Sequence, residues 1–453
     1  AKEGSRFRGA LGEGRGFPRA LAAPAVRAHF QLQAIGRLSA RLDAGSALSE
    51  QETQWLRDAL LADDPPTADL VAERDARWAA HLALRRSLPT VMVMEERPQP
   101  RPTFVLNRGQ YDQPGEPVTA GVPEALLGAW PKDAPRNRLG LAQWLTRPDH
   151  PLTARVVVNR LWAQLFGTGI VKTLEDFGSQ SEWPSHPELL DWLARRFVDG
   201  GWDLKALLRQ MVLSSTYRQD SAVTTELLAR DPENRLLGRG PRVRLPAELI
   251  RDQALAVSGL LAPRIGGPSV YPYQPDKLYE GIVVGAEYPG TKWLLSSGAD
   301  LYRRSLYTFW KRTMPHPAMT AFDSPDREFC TVRRSRTNTP LQALVLWNEP
   351  GYLEAARQLA TRLLREGGPS DAARVAFAFQ HATGRGPFAS EIRVLQGALE
   401  KLRADFSARP AEAASFLKVG ASPVDASLPP VELAAAMSVA SMILSLDETV
   451  TKN

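Results

Sequence analysis

The stretch VELAAAMSVASMILSL, residues 431–446, is the most apolar part of this chain. Glu432 and several serines interrupt it, and it is shorter than the roughly 20 residues that a membrane-spanning helix needs. It therefore predicts a buried helix and not a membrane span.

The sequence around this stretch also has a helical pattern. Apolar residues recur at helical spacing in residues 24–88 and again from residue 135 onwards. Two S-x-x-E sequences, at 49–52 and 185–188, are capping boxes that mark helix starts. From Pro340 the pattern predicts four helices, at roughly 340–366, 369–382, 388–406 and 430–447. Three tryptophans lie in such apolar stripes and are predicted to be in the core: Trp144, Trp162 and Trp192.

Strand-forming sequences are few, so the expected fold is mainly α with a minor β element, a helical multi-lobed globular domain. The runs TVMVMEE (90–96) and TFVLN (103–107) are β-prone, and LYRRSLYTFWKR (301–312) predicts the one substantial strand. Residues 262–300 are rich in Gly, Pro and Tyr and predict a long loop excursion. We expect a helical spacer or hairpin at 1–90, an extended Pro/Gly-rich linker with short strands at 91–134, and a mainly helical C-terminal domain at 135–453.

The composition excludes several classes of protein. A chain of 453 residues with 43% hydrophobic and 23% charged residues is typical of a soluble globular protein of two or three domains. One cysteine, Cys330, excludes an internal disulfide and a Cys-rich metal site, and no CxxCH motif is present to attach c-type haem. The six histidines show no zinc-site spacing, so no cofactor or metal is expected in this chain, although a calcium site made of loop acids stays open. The chain begins without Met and without an apolar signal core, so we expect a mature product or a piece of a longer protein.

Charged residues concentrate in DSPDREFCTVRRSRTNTPLQAL, residues 323–344. Residues 301–340 contain eight Lys or Arg against three acids, so these forty residues carry +5 of the chain's net charge of +6. A local field of this kind favours an anionic partner, and arginine binds carboxylate, sulfate or phosphate in a forked geometry. RTNTP (336–340) also predicts a helix start, whose free N–H groups would add to an anion site. The predicted ligand-binding residues are Arg327, Arg333, Arg334, Arg336 and Asn338.

Two other interpretations of this segment stay open. In the first, Asp323, Asp326 and Glu328 are catalytic, one of them as a general acid or base. In the second, the acids and arginines neutralise each other in a structural network. Cys330 lies among the arginines, but no neighbouring sequence supplies the His partner that a nucleophile needs.

A carboxylate pair lies outside this segment, in RLPAELIRDQ (244–253). Glu248 and Asp252 are four residues apart on one predicted helix face, where like charges repel. We therefore expect Arg244, Arg251 or a distant arginine beside them, although a carboxylate pair serving an active site is an alternative.

Several blocks of sequence resemble a known family. They include NRLGLAQWLTRPDHPLTARVVVNRLWAQLFGTGIV (137–171), EDFGSQSEWPSHPELLDWLA (175–194), YRRSLYTFWKR (302–312) and DSPDREFCTVRRSRTNTPLQALVLWN (323–348). They are similar to the C-terminal domain of unknown function of planctomycete cytochrome-c-domain proteins, over about 135–450. The resemblance implies an extracytoplasmic, periplasmic or similar location, and an upstream haem c domain that this chain lacks. It supplies no catalytic residues.

Two functions from different classes follow as hypotheses. The first is an extracytoplasmic module that binds or processes anionic polysaccharide, sulfated or uronic, and that as an enzyme would be a hydrolase or lyase. The second is a non-enzymatic scaffold that docks a haem c domain or another partner protein. Nucleic acid is not expected as a partner.

Overall fold

The computed structural model describes residues 23–63, 65–88, 90–276, 278 and 293–452. The chain divides into two compact units between Pro117 and Val118, a point inside the predicted linker. Residues 277 and 279–292 of the predicted loop excursion at 262–300 lie outside the described residues.

The first unit is helical with a short hairpin. The predicted capping box at its second helix forms, because the Ser49 N–H donates to Glu52 (2.9 Å) and the Glu52 N–H donates to the Ser49 hydroxyl (3.2 Å). TFVLN provides the first strand, whereas TVMVMEE forms none and its apolar side chains are exposed. That strand prediction is wrong, since residues 90–96 belong to no strand. The elements are α1 (Ala23–Asp43), α2 (Glu50–Asp63), α3 (Pro65–Ser87), β1 (Thr103–Leu106) and β2 (Pro114–Val118).

The second unit confirms the mainly helical fold, and its regular strands within the described residues are two of two residues each. Its elements are α4 (Glu124–Leu127), α5 (Arg138–Leu145), α6 (Thr153–Phe166), α7 (Pro187–Asp199), α8 (Leu204–Leu213), α9 (Thr225–Arg230), β3 (Val243–Arg244), α10 (Ala247–Ser258), α11 (Pro317–Ala321), α12 (Pro340–Asn348), α13 (Pro350–Glu366), α14 (Asp371–Thr383), α15 (Ala389–Ala408), α16 (Pro410–Phe416), α17 (Pro430–Leu444), α18 (Asp447–Val450) and β4 (Thr451–Lys452).

The apolar stretch at 431–446 forms most of α17, the centre of the larger core. Its residues from Leu433 to Ser441 are all buried, as expected of a helix that is apolar all round. It packs against α13, whose small buried Ala355, Ala356 and Ala360 leave room for a close approach, and against α15. No helix in the described part of the chain is long and apolar enough to cross a membrane.

A smaller core lies between α6, α7 and α8. Trp162 stacks on Phe166 with ring centroids 3.9 Å apart, and both are buried as α6 packs on its neighbours. Trp144 and Trp162 are buried as predicted, but Trp192 is 53% exposed. The prediction for Trp192 is wrong because α7 buries a stripe through Leu190, Leu193 and Phe197 that leaves position 192 on its edge.

The two cores of the second unit are joined near the end of the chain. β3 pairs antiparallel with β4, placing Val243 opposite Lys452. The Lys452 ammonium then donates to the Leu165 carbonyl at the end of α6 (2.8 Å). β4 therefore contacts both β3, which precedes α10 of the larger core, and the end of α6 in the smaller core.

The predicted strand at 301–312 is wrong. Gly298–Tyr302 and Ser305–Tyr307 form two 3₁₀ turns, and the β pairing described for this segment consists of two isolated bridges, Ala262 with Arg303 and Val270 with Thr308. Side chains of α10 satisfy the backbone there: Arg251 donates to two carbonyls, and Asp252 accepts the Ser305 N–H (2.6 Å). A neighbouring strand is therefore not needed to pair these groups.

Candidate functional site

The charged segment connects α11 to α12 as an exposed, irregular chain. Residues 326–339 are all exposed and belong to no helix or strand. α12 begins at Pro340, as RTNTP predicts. Asn338, a predicted ligand-binding residue, is exposed just before this start.

Three of the four arginines contact distant parts of the second unit. Arg333 lies 3.1 Å from the Glu175 carboxylate, and Arg334 lies 2.8 Å from that of Glu248 on α10. Arg336 donates to the Gly167 carbonyl at the end of α6 (3.0 Å), and partial burial lowers the pKa of its guanidinium. The segment therefore ties the smaller core, near α6, to the larger core at α10.

The fourth arginine stacks on an aromatic ring. The guanidinium of Arg327 lies 4.4 Å from the centroid of the Trp310 ring, within the range of a cation–π contact. The Trp310 indole N–H in turn donates to the Asp326 carbonyl (2.7 Å). Arg327 has a positive φ of 65°, so this turn holds a non-glycine residue in a left-handed conformation.

The three acids predicted as catalytic have separate partners. Both oxygens of Asp323 accept hydrogen bonds from Thr337, whose N–H is at 2.7 Å and whose hydroxyl is at 2.8 Å. Asp326 accepts the Glu328 N–H (2.9 Å), and Glu328 lies 3.6 Å from Arg312. These contacts fold the segment back on itself, and they do not direct the three carboxylates towards one gap.

Gln342 fixes the start of α12 from the inside. It is buried, and its amide N–H₂ donates to the Ala321 carbonyl (3.0 Å) and the Thr337 carbonyl (3.2 Å). Its carbonyl oxygen accepts from Arg244 and from the Thr339 N–H (3.2 Å). Protein groups thus occupy the inner side of this helix start.

Each carboxylate of the pair on α10 has an arginine beside it, as expected for two like charges four residues apart on a helix. Arg334 bonds to Glu248, and Arg304 lies 3.5 Å from Asp252. Burial is the largest single influence and would raise the pKa of Glu248, but the hydrogen bond from Arg334, a backbone hydrogen bond and the charges of Arg334 and Arg327 together lower the pKa. The distant arginine that the sequence predicts is therefore Arg334, with Arg304 beside the second acid.

Cys330 is a free thiol on the surface. His316, the nearest histidine in sequence, is buried, and one ring nitrogen contacts the Tyr273 carbonyl at 2.7 Å. The structure does not bring the two side chains together. Among the described residues, no group of three or more His, Cys, Asp or Glu is arranged to hold a metal ion.

Residues 137–399, more than half of the chain, match the model of a family described as PSD1, Protein of unknown function (DUF1553). The chain belongs to the DUF1553 family. The matched region of this DUF1553 protein includes the charged segment, both carboxylates of α10 and most of the two cores. No curated protein and no solved structure matches it.

A second polar cluster of the DUF1553 protein escaped the sequence analysis. Glu354, on the inner face of α13, is fully buried and accepts the hydroxyls of Tyr273 (2.9 Å) and Tyr302 (2.8 Å). It also accepts the Ser422 N–H (2.5 Å), and Arg357, itself buried, lies 3.7 Å away. The sequence signal that could have identified this cluster is a glutamate within the apolar stripe of α13, after a buried tyrosine and before two buried alanines.

The neighbourhood of Glu354 contains an enclosed cavity of about 10 Å³, lined by Arg251, three tyrosines and Glu354. This volume has room for about one water molecule. Burial raises the pKa of Tyr302 to about 12, helped by its hydrogen bond to Glu354, so its hydroxyl stays protonated and donates. The cavity is too small for a substrate, and the cluster acts as a packed polar centre.

The outer face of α12 carries large apolar side chains. Leu341, Leu344 and Trp347 are 57%, 58% and 41% exposed. They are spaced three residues apart, so successive members are neighbours on the helix surface. We call these three residues the docking face.

Proposed function

We propose that this DUF1553 module is a non-enzymatic scaffold that docks a partner protein through the docking face of α12. The observation that carries the proposal is the exposure of Leu341, Leu344 and Trp347 on one short helix. Apolar residues grouped on one surface are typical of protein interfaces, and tryptophan is common among the residues that contribute most to binding.

The charged segment supports this face. Arg334 and Arg336 connect the segment to α10 and to the end of α6, and Asp323 closes it onto Thr337. Gln342 then holds the first turn of α12 against Ala321. Because these contacts fix the start of α12 on its inner side, they would hold the docking face in one orientation.

The proposed partner is a protein domain with a complementary apolar surface. The resemblance stated above points to a haem c domain or another domain of the same longer protein, outside the cytoplasm. Such a partner would cover the docking face in the assembled protein and would place this module beside a redox centre.

The test is the affinity of this module for the upstream domains of its full-length protein, measured by calorimetry. We expect Leu344→Asp to weaken binding by at least about tenfold, since a charge would enter an apolar contact. Leu228→Asp, at a leucine 51% exposed on α9, is the matched control and should bind normally. Equal affinity of the two variants, with both folded, would refute the docking role of α12.

Anionic polysaccharide is the second candidate ligand, favoured by the Arg327–Trp310 stack. An aromatic ring beside cations suits a sugar ring that carries sulfate or carboxylate. Arg333 is 62% exposed and makes one monodentate ion pair, which leaves N–H donors directed to solvent. Asn338 and the exposed sides of Arg334 and Arg336 would extend this surface.

Affinity for sulfated and uronic polysaccharides tests this candidate. Arg327→Ala and Arg333→Ala should each lose binding without a change in melting temperature. Arg195→Ala is the control, because Arg195 is an exposed arginine paired with Asp199 on α7. Release of reducing ends, lost in Asp326→Asn, would identify a hydrolase or lyase with Asp323, Asp326 or Glu328 as acid or base.

A further inference from the structure

The chain between α3 and β1 contains an apolar segment that no other part of the described chain covers. Its four successive residues are each at least 81% exposed: Val91, Met92, Val93 and Met94. They belong to no helix or strand, and none of them forms a hydrogen bond with another described residue. We call residues 91–94 the VMVM segment.

The VMVM segment has the sequence of a strand that is covered on both faces. Valine is favoured in strands, and the segment contains neither glycine nor proline. Side chains alternate in an extended chain, so the two valines would lie on one face and the two methionines on the other. Apolar residues on both faces are typical of a strand inside a sheet that other elements cover. The segment is therefore suited to pairing, and it lacks a neighbouring strand among the described residues.

The hairpin of β1 and β2 has one edge that suits a further strand. Within the part of the chain that the structure describes, its sheet consists of these two strands, and all of their residues are exposed. β2 contains Pro114 and Pro117, which have no N–H to donate, so its outer edge pairs poorly. β1 contains no proline, and its outer edge offers backbone groups for pairing. A third strand on β1 would also stabilise the hairpin, because two strands alone are only marginally stable.

β1 matches the VMVM segment in length and in the nature of its side chains. Each has four residues, and β1 also has apolar side chains in succession. Phe104, Val105 and Leu106 are between 39% and 48% exposed, so both faces of β1 carry uncovered apolar surface. Pairing the two would place apolar side chains beside each other on both faces of the enlarged sheet, and such cross-strand contacts are what stabilise a sheet.

The link between the VMVM segment and β1 opposes their pairing within one chain. Residues 97–102 of this link read RPQPRP. Each proline fixes its own φ and restricts the residue before it to extended conformations. An antiparallel pair would require the chain to reverse within this link, and a parallel pair would require a crossover of about a dozen residues. The link resists the first arrangement and is too short for the second.

We infer that two copies of this chain form a dimer by exchanging strands, in which the VMVM segment of each copy pairs with β1 of the other. Because the segment and the edge that accepts it belong to the same chain, two copies pair twice and the contact closes with two-fold symmetry. The proline-rich link, which opposes pairing within one chain, carries the segment across to the second copy. This dimer does not involve α12 and does not rest on the docking role of that helix.

Analytical ultracentrifugation of the full chain over a range of concentrations tests the dimer. We expect the wild-type protein to change from the mass of one chain to that of two as its concentration rises. Val93→Asp should raise the dissociation constant by at least about a hundredfold, because the symmetric dimer would contain the buried charge twice. Val394→Asp, at a valine 71% exposed on α15, is the matched control and should dimerise normally. A wild-type protein that stays monomeric, or equal dissociation constants for the two variants, would overturn the inference.

A change in the link distinguishes strand exchange from other kinds of dimer. Replacing two prolines together, Pro98→Gly and Pro100→Gly, gives a flexible link that can reverse. The VMVM segment should then pair with β1 of its own chain, since the local concentration of that strand exceeds the concentration of a second copy. We expect the dissociation constant of the dimer to rise by at least about tenfold. An unchanged dissociation constant would overturn the inference.

Two further results keep this dimer separate from the docking role of α12. In the wild-type protein, amide hydrogen exchange of residues 91–94 should slow as the concentration passes through the dissociation constant, because the new strand pairs protect these groups. Exchange at one rate throughout this range would overturn the inference. Leu344→Asp, the variant that tests the docking face, should dimerise like the wild type. Loss of the dimer in Leu344→Asp would assign the contact to α12 and overturn strand exchange.

Discussion

The charged segment on the surface and the polar centre around Glu354 are both dense in arginine and acid, but they differ in how water reaches them. Arg333 and Glu175 remain 62% and 45% exposed in their ion pair, whereas Glu354 and Arg357 are 0% and 1% exposed. Water screens the first pair, and the second has been removed from water altogether. The charged segment is conspicuous in the sequence, but we expect it to contribute less to stability than the buried centre. The sequence marks that centre only by a single glutamate within an apolar stripe.

The largest expected effect comes from breaking the buried centre. Glu354→Ala should lower the free energy of unfolding by about 3–5 kcal/mol, because two buried tyrosine hydroxyls and the Ser422 N–H lose their acceptor and the buried Arg357 loses its counter-charge. Chemical denaturation measures the change. Glu366→Ala removes an exposed acid of the same helix, paired with Arg362, and should change the free energy of unfolding far less, because water screens this pair. Similar losses of unfolding free energy in Glu354→Ala and Glu366→Ala would contradict the expected difference between buried and exposed charges.

A smaller effect is expected from His316 and Glu349, two groups with opposite pH responses. Burial lowers the pKa of His316 to about 4, so the stability linked to neutral His316 is present above pH 6.5 and is lost as the pH falls towards 4. Glu349 acts in the other direction, because its stabilising proton is lost as the pH rises from 4.5 to about 7. Relative to wild type, His316→Gln should gain about 3 kcal/mol, and Glu349→Gln lose about 3 kcal/mol, as the pH falls from 7 to 4.

Denaturation curves at a series of pH values give these differences directly. In the wild-type protein the two contributions oppose each other and flatten the profile. A variant whose profile runs parallel to that of the wild type would show that its group does not titrate as described.

The smallest effects belong to the charged segment. Arg334→Ala should cost about 1 kcal/mol, since Glu248 is only 17% exposed, and Arg333→Ala less than about 0.5 kcal/mol. Double-mutant cycles with Glu248→Ala and Glu175→Ala isolate the two couplings. A coupling energy between Arg333 and Glu175 as large as that between Arg334 and Glu248 would contradict the expectation that the more exposed pair is the weaker one.

The helical fold could be predicted from the sequence because its signals are local. α17 is apolar over its whole length, and α12 begins at the proline that the sequence indicates. The repulsion between Glu248 and Asp252 also predicted arginines beside them, because four-residue spacing on a helix fixes their proximity.

Long-range pairing could not be predicted in the same way. The sequence RRSR (333–336) does not indicate Glu175 or Gly167 as partners of its arginines, because those contacts depend on how the two cores pack. Residues 301–312 have strand-forming side chains, but α10 supplies the hydrogen bonds that a neighbouring strand would otherwise supply. The role of Glu354 depends on its burial, which periodicity indicates only for apolar residues.

The fit of Glu354 has a consequence for recognising distant relatives. Gly420 has a φ of 82°, and a Cβ atom there would lie 2.3 Å from the carboxyl carbon of Glu354. Any other residue at position 420 is therefore opposed both by its backbone conformation and by the glutamate itself. We expect the two positions to change together: a homologue that keeps the glutamate should keep the glycine, although 66 positions separate them in the chain. This pair would serve as a signature in sequences too divergent for their overall similarity to be informative.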